Sequence, residues 1–303
     1  MREFTRVQVV LVLSTVLMLA APLGAGAAWP VDNALEKYSV ATGSRAWSDA
    51  LGYYGGGITS DASGTVYVST DVGFDVYGPD GVRTHQFDVK GTGYGYVLTA
   101  APNRTIYVVD NHNNRILRYS RAGKYLGVWG SKGTSKGHFM NPWAIAHDAK
   151  SNIYIADTTG RVQKFTSTGR YLLKFGGRGT AAGKFPRMPN GMAVDASGTV
   201  YTIEGAFEEG DPSPDRVQRF SSTGKYLGRW KVGGSDIAID SGGNVFIAGA
   251  TEQRIVQRYS TKGKLLQTYQ GGSLAGDPAA GGSPWSIAVD GRGSFYVVCY
   301  GAG

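Results

Sequence analysis

One phrase recurs six times along this chain: an apolar strand, a turn built on Asp and Gly, then a strand of β-branched and aromatic residues. The copies are "GITSDASGTVYVST" from Gly57, "VLTAAPNRTIYVVD" from Val97, "AIAHDAKSNIYIAD" from Ala144, "GMAVDASGTVYTIEG" from Gly191, "DIAIDSGGNVFIAG" from Asp236 and "WSIAVDGRGSFYVVCY" from Trp285. Their turn positions are Asp61, Ala101, Asp148, Asp195, Asp240 and Asp290, so the period runs from 40 residues (61 to 101) to 50 (240 to 290). A second unit, two strands around a Gly turn, follows five of the copies; examples are "RILRYSRAGKYLGVWG" from Arg115 and "RVQKFTSTGRYLLKFGG" from Arg161. Four short strands per period of this length mark a propeller blade.

The sixth copy ends the chain with no second unit after it. At the other end, "ALEKYSVATGSRAW" (Ala34 to Trp47) aligns with "RVQRFSSTGKYLGRW" from Arg216, if one extra residue is allowed near Val40. Tyr38 then falls on Phe220, Gly43 on Gly224 and Trp47 on Trp230. The expected fold is all-β: a six-bladed β-propeller over residues 28–303 with four-stranded antiparallel blades, the last closed by the N-terminal strands. Pairing the two ends in one sheet removes the open edge of a linear array. The innermost strands crowd the axis, so small residues are expected there: Ala146, Ala193, Ala238 and Ala288, with Thr59 and Thr99. Ile58, Leu98, Ile145, Met192, Ile237 and Ile287 should face the core between blades.

Composition agrees with a folded, strand-rich chain: 42% hydrophobic, 18% charged, 46 glycines and 18 tyrosines. The single cysteine, Cys299, excludes an intrachain disulfide framework. Residues 1–27 read as an export signal, with Arg2 and Arg6 before a mostly apolar run to Ala21 and small residues at Ala25 to Ala27. An uncleaved anchor competes with that reading, but the run is short and interrupted by Gln8, Ser14 and Thr15. The mature chain is therefore expected outside the cell or on its envelope, as a monomer without a membrane span. The full chain's net charge of +8, lowered by one unit without residues 1–27, then favours anionic envelope surfaces over nucleic acid. Dispersed solvated Lys and Arg are the plainer account.

The phrases "WAIAHDAKSNIYIADTTGRVQKF" and "GMAVDASGTVYTIE", with "GHFMNPW" and "GKFPRMPNG" before them, resemble the NHL repeat. The resemblance covers the mature chain, is strongest in the third and fourth blades and weakest in the first, where Ser60 departs from the pattern. It implies a six-bladed NHL propeller, a fold that hosts unrelated activities. Related propellers include amidating lyases with histidine-bound zinc and streptogramin-type lyases with an acid–base pair and a divalent metal.

What recurs in every blade reads as architecture, and what breaks the repeat on one face reads as site. Turn Asp and Gly residues recur, as do Arg115, Arg161 and Arg216, which read as Asp–Arg struts with Asp110 and Asp157. Loops before the first and after the second strand open on one face. They give the candidate ligand set: Tyr96, Asp110, His112, Trp143, Asp157, Asn190, Glu204 and Trp285. Aromatics beside acids suit a glycan or a cationic peptide; the alternative is that Trp143 and Trp285 wedge between blades. The acidic loop "EGAFEEGDPSPDR" offers Glu208, Glu209, Asp211 and Asp215 as a candidate Ca²⁺ set, the one cofactor considered. His147 replaces a Val or Ile and is expected to pack in the lower blade core, while His112 and His138 lie in neighbouring loops. The leading expectation is a non-catalytic module that binds a protein, peptide or glycan. The alternative is a metal-assisted lyase or hydrolase with Glu204, Asp157 and His112 as first acid–base suspects.

Overall fold

The computed structural model describes residues 33–41, 45–51, 56–70, 72–89, 97–205, 215–249, 255–269 and 283–300. The expected export signal, Tyr96, Glu208, Glu209, Asp211 and the loop from Gly271 to Gly282 lie outside the described residues. No described helix is long and apolar enough to cross a membrane.

The chain starts with β1 (Asn33–Ser39) and β2 (Arg45–Leu51). Blade 1 follows as β3 (Ile58–Ser60), β4 (Val66–Ser69), β5 (Gly73–Tyr77) and β6 (Arg83–Asp88). Blade 2 is β7 (Val97–Ala100), β8 (Thr105–Asp110), β9 (Arg115–Ser120) and β10 (Tyr125–Trp129). Blade 3 is β11 (Pro142–His147), β12 (Ile153–Asp157), β13 (Arg161–Phe165) and β14 (Tyr171–Gly176). Blade 4 is β15 (Gly191–Val194), β16 (Val200–Glu204), β17 (Arg216–Phe220) and β18 (Tyr226–Lys231). Blade 5 is β19 (Asp236–Ile239), β20 (Val245–Ala248), β21 (Val256–Tyr259) and β22 (Leu265–Tyr269). Blade 6 is completed across the termini, in the order β2-β1-β24-β23, with β23 (Ser283–Val289) and β24 (Ser294–Tyr300).

The architecture is the expected one: six antiparallel four-stranded blades, the last closed by the N-terminal strands. Ala34 sits opposite Cys299 and Tyr38 opposite Phe295, as Phe220 sits opposite Val200 in blade 4. One detail of the alignment is corrected. Trp47 pairs with Lys37, the position of Gly228 opposite Arg219, and Asp49 takes the position of Trp230. The β1–β2 turn does carry one more residue, since Tyr38 pairs with Arg45 where Phe220 pairs with Tyr226. Counting on from that turn puts Trp47 two places short of Trp230.

No single core exists. Six apolar clusters each join two adjacent blades. Alternate residues of each innermost strand serve opposite neighbours, as the period of two requires. Ile287 packs toward blade 5 while Ala288 packs toward blade 1. The small residues also line the channel, as expected, together with the larger ones. Wedge geometry explains the size difference: near the axis the gap between blades is narrow, and an alanine on one blade leaves room for an isoleucine or methionine on the next.

Turn chemistry repeats with the blades. The Oδ1 of Asp61, Asp148, Asp195 and Asp290 accepts backbone N–H groups two and four residues on, and a tyrosine from the second strand reaches the other oxygen in blades 3, 4 and 6. A second device links blades. The outer hairpin glycine of one blade, at positive φ, lies under an aromatic ring from the blade before it. A Cβ at Gly123 would meet Phe87, at Gly169 Trp129, at Gly224 Phe175 and at Gly263 Trp230, each within 2.0–2.7 Å. Substituting these glycines would both strain the turn and displace the ring. In blade 6 the register position of Trp230 is held by Asp49. A further link recurs beside the rings: Lys164 donates to the carbonyl of Ser222 at 3.3 Å, Arg219 to that of Thr261 at 2.9 Å and Lys37 to that of Pro79 at 2.8 Å, each two residues before the next blade's hairpin glycine.

Candidate functional site

Two cavities of about 150 Å³ each lie along the axis. On the order of ten waters would fill either one. The upper cavity is the channel mouth, lined by residues that immediately precede or begin the innermost strands: Gly56, Val97, Trp143, Asn190, Ser235 and Trp285 among them. The lower cavity is the channel itself, lined by all six innermost strands. Val97, Ile145, Met192, Asp236 and Ser286 border both, so mouth and channel are continuous.

The structure brings Trp143, Asn190 and Trp285 of the expected ligand set together at this mouth. Both indoles are partly exposed, and neither belongs to an interblade cluster. Asn190 Nδ2 donates to the carbonyl of Gly234 at 2.9 Å, and Ser235 Oγ donates to that of Pro284 at 3.1 Å, so the rim is laced from blade to blade.

Asp110, Asp157 and Glu204 are placed elsewhere. Each ends a second strand, is buried, and pairs with the arginine that opens the third: Asp110–Arg115 at 2.7 Å, Asp157–Arg161 at 2.9 Å and Glu204–Arg216 at 2.9 Å. Arg161 also donates to the carbonyls of Gly133, Thr134 and His138, and Arg216 to those of Thr180 and Lys184. Gln163 and Gln218 complete each clamp by bonding the same loops. The struts thus pin the chain as it enters its blade. Burial raises the Glu204 carboxyl despite the opposing pull of Arg216 and Gln218. Glu204 and Asn190 also border a narrow crevice with Pro186 and Met188.

His112 is on an exposed turn, and His138 Nδ1 is hydrogen-bonded to Ser131 Oγ at 2.8 Å. Of the candidate Ca²⁺ set only Asp215 is described, and its carboxylate lies over Gly233, where a Cβ would come within 2.4 Å of Oδ1. Among the described residues no group of three or more His, Cys, Asp or Glu side chains is placed to hold a metal ion. The described residues of the mouth therefore offer no donor set that fits a divalent ion.

His147 corrects the expectation of a blade-core histidine. It lines the channel, with Nδ1 2.8 Å from Thr99 Oγ1 of the preceding blade. Burial lowers its pKa to about 4, and Arg121 adds to the effect against the pull of Asp148.

The residue that sequence reasoning missed is Asp236. Its counterparts at the head of the other innermost strands are Gly57, Val97, Ala144, Gly191 and Ser286. An acid among glycine, alanine, valine and serine breaks the repeat, which was the signal available. Gly191 makes room for it: a Cβ there would sit 2.3 Å from Asp236 Oδ1. Oδ2 accepts hydrogen bonds from Ser286 Oγ at 2.7 Å and Ile287 N at 3.0 Å, and Oδ1 accepts from Ile237 N at 2.8 Å. Burial outweighs these donors and raises its pKa to about 6.

Asp236 and His147 pull stability in opposite directions with pH. Below pH 6.5 the unfolded chain protonates His147 and the folded chain does not until about pH 4, so stability falls on acidification. Asp236 keeps its proton up to about pH 6 when folded but sheds it near 3.8 when unfolded, so stability falls as pH rises. Each effect is on the order of 3 kcal/mol in full. The wild-type curve should be nearly flat between pH 4 and 6.5. Asp236→Asn should be stabilised at pH 7.5 and lose that advantage by pH 4, and His147→Val should grow more stable as pH falls. Urea unfolding across this range measures both; parallel curves for all three proteins would refute the pairing.

Comparison with known proteins gives the fold and no more. No protein-family model matches the chain, and no curated relative matches it. Among solved structures, a streptogramin B lyase is 16% identical, with a TM-score of 0.54 over 86% of this chain and 78% of that one. Virginiamycin B lyase from Staphylococcus aureus is 12% identical, with a TM-score of 0.54 over 88% and 99%. A protein of unknown function from Bacteroides caccae is 15% identical, with a TM-score of 0.58 over 85% and 98%. The likeness to these structures is one of fold.

Proposed function

We propose that this chain is an NHL-type propeller that binds a peptide or glycan at its channel mouth, acting at the cell envelope to which the expected export signal would send it. The observation that carries the reading is the convergence of Trp143, Trp285 and Asp236 on one open cavity otherwise lined by small and aliphatic residues. Indole faces stack on sugar rings or apolar side chains, and a half-buried carboxylate receives a hydroxyl or ammonium donor. Titrating the mature protein with oligosaccharides and short peptides, followed by tryptophan fluorescence, tests it. Trp143→Ala or Trp285→Ala should weaken binding tenfold or more with unchanged thermal stability. Binding that survives both substitutions would remove the mouth as the site.

One observation favours a second reading, a lyase. A carboxyl group with a pKa near 6 in an open cavity is suited to take or return a proton near neutrality. On this reading virginiamycin B, incubated with the protein, would be converted at a rate rising through pH 6. Asp236→Asn would abolish conversion and keep binding.

A further inference from the structure

Asp236 carries a charge that no described side chain neutralises. The strut acids Asp110, Asp157 and Glu204 each face an arginine. Asp236 has three neutral donors instead, Ser286 Oγ, Ile287 N and Ile237 N, and no ion pair with a described residue. Among the described residues, no lysine or arginine lines the mouth or the channel below it. A carboxylate held out of bulk water without a cation is costly, which is why burial pushes this carboxyl up.

The acceptor count shows where a cation would enter. A carboxylate offers about four acceptor sites. Two donors fill Oδ2 and one fills Oδ1, so a site remains on Oδ1. That oxygen lies over Gly191, which borders the mouth cavity with Asp236, and any side chain at 191 would collide with it. Asn190, the preceding residue, gives its Nδ2 to the carbonyls of Gly234 and Gly205. Its Oδ1 has no hydrogen-bond partner among the described residues. Two acceptors with spare capacity thus border the cavity that Trp143 and Trp285 also line.

We infer that the neck of the channel is a subsite for a primary ammonium group, with Asp236 Oδ1 and Asn190 Oδ1 accepting its hydrogens and the two indoles flanking the stem that carries it. The inference rests on the mouth being the ligand site, and it narrows the ligand to a peptide presenting its amino terminus or a lysine side chain. Other donors match the site less well. A guanidinium delivers paired hydrogens to both oxygens of a carboxylate, and Oδ2 is already filled. A sugar hydroxyl can reach Oδ1 but leaves the charge unopposed. A quaternary ammonium suits indole faces but has no hydrogen to give.

Calorimetric titration of the mature chain tests this. The probes are Phe-Gly-Gly, its N-acetyl form, N-acetyl-Gly-Lys-Gly amide, the arginine counterpart of that peptide, and chitotetraose as a neutral sugar. At pH 7 at least one ammonium probe should bind, at least tenfold more tightly than its acetylated or arginine counterpart; the tighter of the two identifies the source. Asp236→Asn should weaken that binding at least tenfold without lowering the unfolding temperature. At pH 6 about half of the free carboxyl is protonated, so ammonium binding should release about half a proton. Titrations in buffers of different ionisation enthalpy read that release. His147, the other titratable side chain lining the channel, is neutral at this pH. Equal affinity for ammonium and acetylated peptides, or full affinity in Asp236→Asn, overturns the inference and leaves the mouth reading standing, as does binding of chitotetraose alone. Ammonium binding lost in Asp236→Asn but unchanged in Trp143→Ala and Trp285→Ala takes the indoles out of the site and keeps the ammonium at the neck. No binding of any probe overturns both.

Discussion

Removing residues 33–51 should abolish the cooperative unfolding transition. These strands supply the outer half of blade 6, and their loss leaves β24 with an unpaired edge. Leu35 and Leu51 leave the cluster between blades 6 and 1, and Tyr38 leaves the one between blades 5 and 6. Each buried side chain is worth about 1.5–3 kcal/mol before any cavity is counted. Against a typical total of about 5–15 kcal/mol, two damaged interfaces suffice. Thermal denaturation followed by circular dichroism measures the outcome. Adding a peptide of residues 33–51 should restore a transition by strand addition. A deletion protein that unfolds sharply at the wild-type temperature would mean that the ring does not depend on its own ends.

Arg216→Met should be the most costly single substitution, at about 3–5 kcal/mol. Both partners of the Glu204–Arg216 pair are 4% exposed, and Arg216 also ties down the carbonyls of Thr180 and Lys184. Methionine keeps the volume but leaves a buried carboxylate without its cation. The Glu204 carboxyl, already raised, would rise further, and protonation would relieve the burial. The destabilisation should therefore be larger at pH 8 than at pH 5. The double variant Glu204→Gln, Arg216→Met should regain part of the loss at pH 8, since it buries no charge. Chemical denaturation at the two pH values measures this, and a cost independent of pH and of the second substitution would show that only packing was lost.

Fold and closure were legible because they are written in repetition. Copies of one unit identify each other without outside comparison, and the half unit at each end finds its partner by the same likeness. Position within a strand was harder to read. Trp47 looked like Trp230 because both are tryptophans near a strand end, yet register is fixed by the length of the turn and places Asp49 there. The site was half legible. Trp143, Asn190 and Trp285 were singled out by their place before the first strands, and they border one cavity, while Asp110 and Asp157 were read both as struts and as ligands, Glu204 as ligand alone, and all three carboxylates are engaged in the struts. Asp236 escaped because an acid opening a strand resembles an ordinary turn residue. Only the geometry shows it flanked by Ser286 and Gly191 at the neck between mouth and channel.

The aromatic rings laid over the next blade's glycine give the wheel a direction. Phe87, Trp129, Phe175 and Trp230 are two kinds of plug in one kind of socket, so neighbouring spokes are close to interchangeable parts. A second fastener, a cation reaching a carbonyl of the next spoke's hairpin, repeats at the joins between blades 3 and 4, 4 and 5, and 6 and 1. The wheel is thus stitched inside its last spoke, and the join beside that stitch carries the same fastener as two of the others.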